Sequence, residues 1–426
     1  MSVAAGHAHG APGATRGLGR AALLVVPAML AGNLVGYLFT VVVARQLGPA
    51  AYGALGGLLA IVIALAVPGM ALQLVVARRV ALDRRRGAGT ADAAVLGLAL
   101  RLGVALGVPT LAAAPLLSGY LHLGSLGPPA WLAVNLALLP PLFAVSGLLQ
   151  GGERYGVLTG VLLLVAAGKL PLGVALVAAG YGVEGALAGV AAGTLAAVLL
   201  GVAACVPVRR RPTPAGDEPE GAPVGPDDGL GPEVAAATVG VLGLVALTNL
   251  DVLLARHYLP AADSGLYAAG SVVAKVTYWA PLAGLMVVFP RLAADGARRA
   301  LLRRAGAATL AFGALCAAGS AVLAAWPALV PFGRAYVAVG PDLPLFAALG
   351  TAFALVQLLL FSDIAARGRR SPWPVGLAVA GQGLLVAGPF HHSVTQIVTV
   401  ALASAAIPLL AGVGSTAGSA STEGVG

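Results

Sequence analysis

V-V-V-A-R-Q-L-G-P-A-A-Y-G-A-L (residues 41–55) and V-L-L-A-R-H-Y-L-P-A-A-D-S-G-L-Y-A-A (residues 252–269) decide how this chain is organised. Ala44-Arg45 matches Ala255-Arg256, and Pro49-Ala50-Ala51 matches Pro260-Ala261-Ala262, with no gap between the two matches. Each stretch closes one long apolar run and opens the next. Such a motif, met twice, marks two related halves.

Outward from these joints the chain is a series of apolar runs, each about 20 residues, the length that crosses ~30 Å of hydrocarbon as a helix. Twelve are expected, at about 21–44, 51–77, 93–117, 129–150, 156–180, 183–207, 234–256, 264–290, 305–330, 342–363, 373–389 and 393–412. Hydrophobic residues make up 59% of the 426 and charged residues 10%, far from a soluble composition. The expected fold class is an all-α membrane protein with about twelve transmembrane helices in two parallel six-helix bundles around a central cavity. With six spans per half, both halves start on the same side, so their axis of relation runs along the membrane normal.

The expected organisation is an N-terminal tail (1–20), a six-helix bundle (21–207), a linker (208–233), a second six-helix bundle (234–412) and a Gly/Ser/Thr-rich disordered tail (413–426). The linker holds Arg209-Arg210-Arg211, then Pro and Gly with Asp217, Glu218, Glu220, Asp227 and Asp228, a composition that does not pack. The first apolar run is too long for a signal-peptide core and lacks a clear cleavage site after it, so it is read as a retained span.

Charge sets the expected orientation. With the N-terminus in the cytoplasm, the cytoplasmic segments hold 19 of the 25 lysines and arginines, and the outer loops hold three, Arg45, Arg256 and Arg334. That asymmetry follows the positive-inside rule and supports both span number and topology, with both termini cytoplasmic. The net charge of +9 therefore reflects topology. Spread over many short loops, it gives no nucleic-acid-binding face.

The other three cations, Arg101, Lys169 and Lys275, fall inside spans, and the two lysines are the only ones in the chain. A lysine at the bilayer centre costs roughly 3 kcal/mol or more unless it faces a partner or a wet cavity. Lys169 precedes Pro171, whose missing N–H frees a carbonyl beside the lysine. Lys169 and Lys275 sit at comparable depth in opposite halves, so one cavity between the bundles fits both. Arg101 lies nearer the cytoplasmic end, where it either snorkels or joins the cavity. Asp251, on the neighbouring span, offers Lys275 an ion pair, and a ligand-facing Lys275 is the alternative. Asp251 is also the ion-coupling candidate.

Other features carry less. Gly185, Gly189 and Gly193 form a ridge of small residues for close helix packing. Cys205 and Cys316 sit in different halves with no disulfide or metal spacing. Neither lysine is followed by Ser or Thr, which excludes a Walker A loop. His391-His392 diverge on any helix and do not suggest a metal site. The expected outer loops are acid-poor (Glu184, Asp263, Asp342), against an enzyme acting there through acid–base or metal chemistry. No catalytic, cofactor or metal-ligating residues are assigned.

Several stretches resemble polysaccharide-export flippases, Wzx-type members of the multidrug/oligosaccharidyl-lipid/polysaccharide (MOP) superfamily. They are N-L-V-G-Y-L-F-T-V-V-V-A-R-Q-L-G-P-A-A-Y-G (33–53), L-L-Q-G-G-E-R-Y (148–155), S-G-L-Y-A-A-G-S-V-V-A-K (264–275), V-F-P-R (288–291) and A-A-R-G-R-R (365–370). Order and spacing carry the resemblance over nearly all twelve spans. It implies alternating access in a bacterial plasma (inner) membrane, with a lipid-linked oligosaccharide or polysaccharide precursor moved from inner to outer leaflet. It also implies cationic cavity residues, a role that falls on Lys275 and less directly on Lys169. Membrane lipid is an implied partner, and a polysaccharide polymerase or glycosyltransferases would share the pathway. Lipid II flippases commonly have fourteen spans, against twelve here. Two other readings stand beside this one: a MATE-like drug or metabolite cation antiporter, which needs acidic cavity residues, and a membrane enzyme of polysaccharide assembly.

Overall fold

In the computed structural model, residues 12–85, 92–205, 230–292, 298–326, 328, 330–365 and 373–422 are described. Those residues are almost entirely helical. In chain order the helices are α1 (Pro12–Arg85), α2 (Asp92–Ala112), α3 (Ala114–Tyr120), α4 (Gly127–Gly151), α5 (Tyr155–Leu176), α6 (Gly182–Cys205), α7 (Leu230–Tyr258), α8 (Ala261–Leu292), α9 (Arg298–Ala325), α10 (Leu343–Ala365), α11 (Trp373–Ala387) and α12 (Val394–Thr422).

Each expected span has a helix. α1 carries two, because Gly48 (φ 71°, ψ 171°) turns the chain sharply without ending the helical run. Only glycine adopts that conformation cheaply. The same joint in the second half is a real gap, Leu259-Pro260, between α7 and α8. Eight helical segments are long and apolar enough to cross a membrane; two of these, Ala31–Arg84 and Tyr155–Cys205, each hold two spans, and α8 and α11 complete the twelve. The protein is a multi-pass membrane protein.

The halves repeat in packing as well as in sequence. In the first half α4 packs on α1, α2 and α6, and α5 packs on α1 and α6. In the second, α10 packs on α8, α9 and α12, and α11 packs on α7 and α12. These are the same neighbours shifted by six spans. Small residues permit the closest approaches in both: Gly147 lies on Gln73 and Val76, and its counterpart contact, Gly350, lies on Ala274. The two lobes are therefore copies of one six-helix bundle.

Helix ends differ from expectation at the termini. α1 starts at Pro12, inside the expected N-terminal tail, and α12 runs to Thr422, past the expected start of the disordered tail at 413. The helical hydrogen-bond ladder of a long span extends at little further expense once nucleated. Residues 206–229, most of the expected linker, lie outside the described residues, as do 1–11 and 423–426.

Candidate functional site

Lys169 is placed by the packing of α5. The ridge Gly185, Gly189 and Gly193 of α6 lies against α5: Gly189 abuts Gly173 and Gly193 abuts the Gly168–Lys169 main chain. With its backbone pressed on α6, α5 turns the Lys169 side chain to α1. The ammonium sits 5.3 Å from the centre of the Phe39 ring, over its face, and beside Gly36. A cation over an aromatic face is attracted by the ring quadrupole. Phe39 itself is 2% exposed. α5 continues through Pro171 without interruption.

Lys275 is half-buried on α8. Asp251 on α7 is 2% exposed and accepts a 2.9 Å hydrogen bond from the Tyr267 hydroxyl. Lys275 lies close enough to act on Asp251 electrostatically, but it is not within the 4.0 Å of an ion pair. The direct Asp251–Lys275 bridge offered by the sequence is thus replaced by Tyr267, about two α8 turns nearer the joint. Lys169 and Lys275 stay in separate lobes. Arg101 is exposed on α2.

Asp251 has company that sequence reasoning missed. Its Oδ1, Asn249 Oδ1, both side-chain polar atoms of Gln382 and Ser404 Oγ are buried without hydrogen-bond partners in the protein. They come from α7, α11 and α12, which pack together. Gly243 faces Val375 and Gly381 faces Ile407, registers that bring 249–251, 382 and 404 close to one level. Buried polar atoms left unpaired are costly, so this level of the second lobe has capacity for a proton, a water or a small cation. The available signal was a glutamine in mid-span, Gln382.

The lobes meet at one end. Arg45 Nε donates to Pro331 O (2.7 Å), and Tyr336 Oη donates to Ala44 O (2.8 Å). Arg256 donates from Nε to Leu121 O (2.8 Å), from Nη2 to His122 O (2.9 Å) and from Nη1 to Ala50 O (3.3 Å) and Ser264 Oγ (3.1 Å). Tyr52, Phe332 and Tyr336 pack as an aromatic trio, centroids 5.6–6.3 Å apart. His257 stacks on Tyr120 at 4.1 Å. All these residues lie at the arginine-poor end. Among the described residues at the arginine-rich end, the Gln73–Gln150 (2.9 Å) and Arg84 to Gly151 O (3.4 Å) hydrogen bonds stay within the first lobe. There, a cleft of about 440 Å³ is lined by Val75, Arg78, Arg79, Leu82 and Asp83. The lobes are sealed at the arginine-poor end.

No family model matches the chain, and no curated protein matches it. Solved structures do. An inward-facing multidrug resistance MATE family transporter of the MOP superfamily superposes with TM-score 0.65 at 14% identity, over 89% of this chain and 93% of that one. An outward-facing MATE transporter gives TM-score 0.58 at 14% identity, over 92% and 93%. The lipid II flippase MurJ, in an inward closed conformation, gives TM-score 0.66 at 12% identity, over 92% and 87%. The fold is that of MOP-superfamily transporters, with two lobes.

Proposed function

We propose that the chain is an exporter that flips a lipid-linked, pyrophosphate-bearing oligosaccharide or polysaccharide precursor from the inner to the outer leaflet by alternating access. The arginine-rich end faces the cytoplasm, and the sealed end faces outward. The carrying observation is Lys169, an ammonium deep in α5 whose described neighbour is a phenylalanine ring rather than a carboxylate. A cation in a low-dielectric setting without a built-in counter-charge attracts an anion far more strongly than in water. Lys275 supplies a second positive charge from the other lobe, and Arg101 a third nearer the cytoplasm. Arg78 and Arg79 line the cleft on the entry side. MurJ, whose fold the chain shares, is a lipid II flippase, which supports a lipid-linked cargo. No step here needs an enzyme.

The test is a proteoliposome assay with a lipid-linked pyrophosphoryl oligosaccharide and a leaflet-specific reporter. Lys169→Ala with Lys275→Ala is expected to slow flipping at least tenfold while the protein still inserts and purifies. Unchanged flipping removes the site.

A second reading, a MATE-like cation antiporter, is favoured by Asp251, buried with one oxygen unpartnered. In the first reading the same residue serves as the ion-coupling group. Dye resistance that vanishes in Asp251→Asn selects the antiporter. Loss of gradient-driven flipping in that variant, with no dye phenotype, selects the exporter.

A further inference from the structure

We propose that Arg256 is the latch of the outward seal, a single guanidinium whose release permits the lobes to open on the outer side. The proposal rests on the alternating-access reading above. Among the described cations, Arg256 is the buried one, 5% exposed. Three of its four hydrogen bonds go to main-chain carbonyls of the other lobe, Ala50, Leu121 and His122, and the fourth to Ser264 of its own. Leu121 and His122 follow the last residue of α3, Tyr120. Carbonyls at a helix C-terminus carry partial negative charge and favour a cation. The planar fork of a guanidinium grips several acceptors at once, which an ammonium does not.

The geometry explains why the seal is both firm and reversible. The bonds are to backbone rather than to a carboxylate, so no second charge is stranded when they break. Ser264 keeps its own bond to Ala261 O (2.8 Å), so the one acceptor in Arg256's own lobe is preformed. Beside it, the Gly53–Ser264 and Gly265–Pro49 approaches leave no space for a Cβ, so the guanidinium closes over a seam already at backbone contact. Arg45, its sequence mate, is exposed and reaches Pro331 O only, which makes it the internal control.

The experiment uses the full chain with Cys205→Ala and Cys316→Ala, and one reporter, Ala268→Cys. Ala268 is 3% exposed and lies against Gly56 in the seam. A second reporter, Ala378→Cys, sits at 0% exposure inside the second lobe. Maleimide labelling is followed on purified protein in detergent. Arg256→Gln is expected to speed labelling at 268 at least tenfold and leave 378 unlabelled. Arg256→Lys should fall between, and Arg45→Gln should change the rate less than threefold. If Arg256→Gln does not purify, Arg256→Lys decides, with a threefold acceleration at 268 sustaining the latch. An unchanged rate at 268, equal effects of the Arg45 and Arg256 variants, or parallel labelling of 378 overturns it. Neither cavity lysine is altered, so the flipping assay can fail independently of this one.

Discussion

Arg45 and Arg256 stand at matching places, 211 residues apart, at the ends of the first and seventh spans. Arg45 is exposed with one hydrogen bond, whereas Arg256 is buried under four. The asymmetry continues along the same offset. Asp251 matches Thr40, Tyr267 matches Gly56, and Lys275 matches Ala64. Thr40 spends its hydroxyl on the Gly36 carbonyl of its own helix (3.0 Å), a purely local bond. The first lobe therefore keeps the architecture of the repeat without the buried acid, its tyrosine or its nearby lysine. Duplicated helices preserve backbone packing, which depends on small residues and turns, and diverge where side chains hold charge. The first lobe's own membrane-embedded cation, the half-buried Lys169, arises on a different helix altogether.

The largest expected effect tests the part the two lobes share most closely, the backbone contact at the seam. A Cβ on Gly265 would lie 1.8 Å from the Pro49 carbonyl oxygen, and one on Gly53 would lie 2.4 Å from Ser264 Oγ and 2.7 Å from Gly265 N. Both contacts involve main chain, which cannot swing aside. Gly265→Ala is expected to destabilise the sealed state by about 3 kcal/mol or more, at or beyond the usual range for overpacking. Gly53→Ala should follow with a smaller effect. The measurement is the unfolding midpoint in detergent together with labelling at position 268. If Gly265→Ala is neutral in both, the seam is looser than its geometry.

Much of this was legible in advance, for physical reasons. Helix number follows from apolar length, and the duplication from two matching joints, so the two-lobed plan came out of the sequence directly. What stayed hidden was the environment. Ala44-Arg45 and Ala255-Arg256 are the same dipeptide, and no local pattern tells which arginine will be covered by the 121–122 turn of the opposite lobe. Likewise Tyr267 is 16 residues from Asp251 on another helix, while Lys275 offered a more obvious charge partner. Hydrogen bonding to a neutral hydroxyl satisfies a buried carboxylate in part, without desolvating an ammonium beside it. Gln382 and Ser404 read as ordinary polar residues until the packing of α7, α11 and α12 brought them to the level of Asp251.

The second effect probes how differently the two joints turn. Gly48 holds φ 71°, ψ 171° with open space where a Cβ would stand, and Leu259, its mate, is not among the residues with positive φ. Gly48→Ala should therefore act through backbone strain alone, about 1–3 kcal/mol. Leu259 is 5% exposed, so Leu259→Ala should act through lost burial, about 2–5 kcal/mol, and leave the turn itself intact. Circular dichroism melts of the two variants, with proteolysis near residue 48, separate strain from cavity formation.

The smallest effect isolates a single bond across the seam. Tyr336 Oη donates to Ala44 O at 2.8 Å, and the ring is completely buried between Tyr52 and Phe332. Tyr336→Phe keeps the ring and leaves one carbonyl unpaired, for about 1 kcal/mol. Ala44 belongs to the last turn before the Gly48 kink, so its carbonyl is a helix-end acceptor with water as an alternative once the lobes part. The bond should therefore matter only in the sealed state. Labelling at position 268 should rise about fivefold in Tyr336→Phe, the rate ratio that about 1 kcal/mol gives. That is less than for Arg256→Gln, because one neutral donor is lost instead of a guanidinium serving four acceptors. A larger rise than for Arg256→Gln would move the weight of the seal from the arginine to the aromatic trio, and with it from the second lobe's joint to the first.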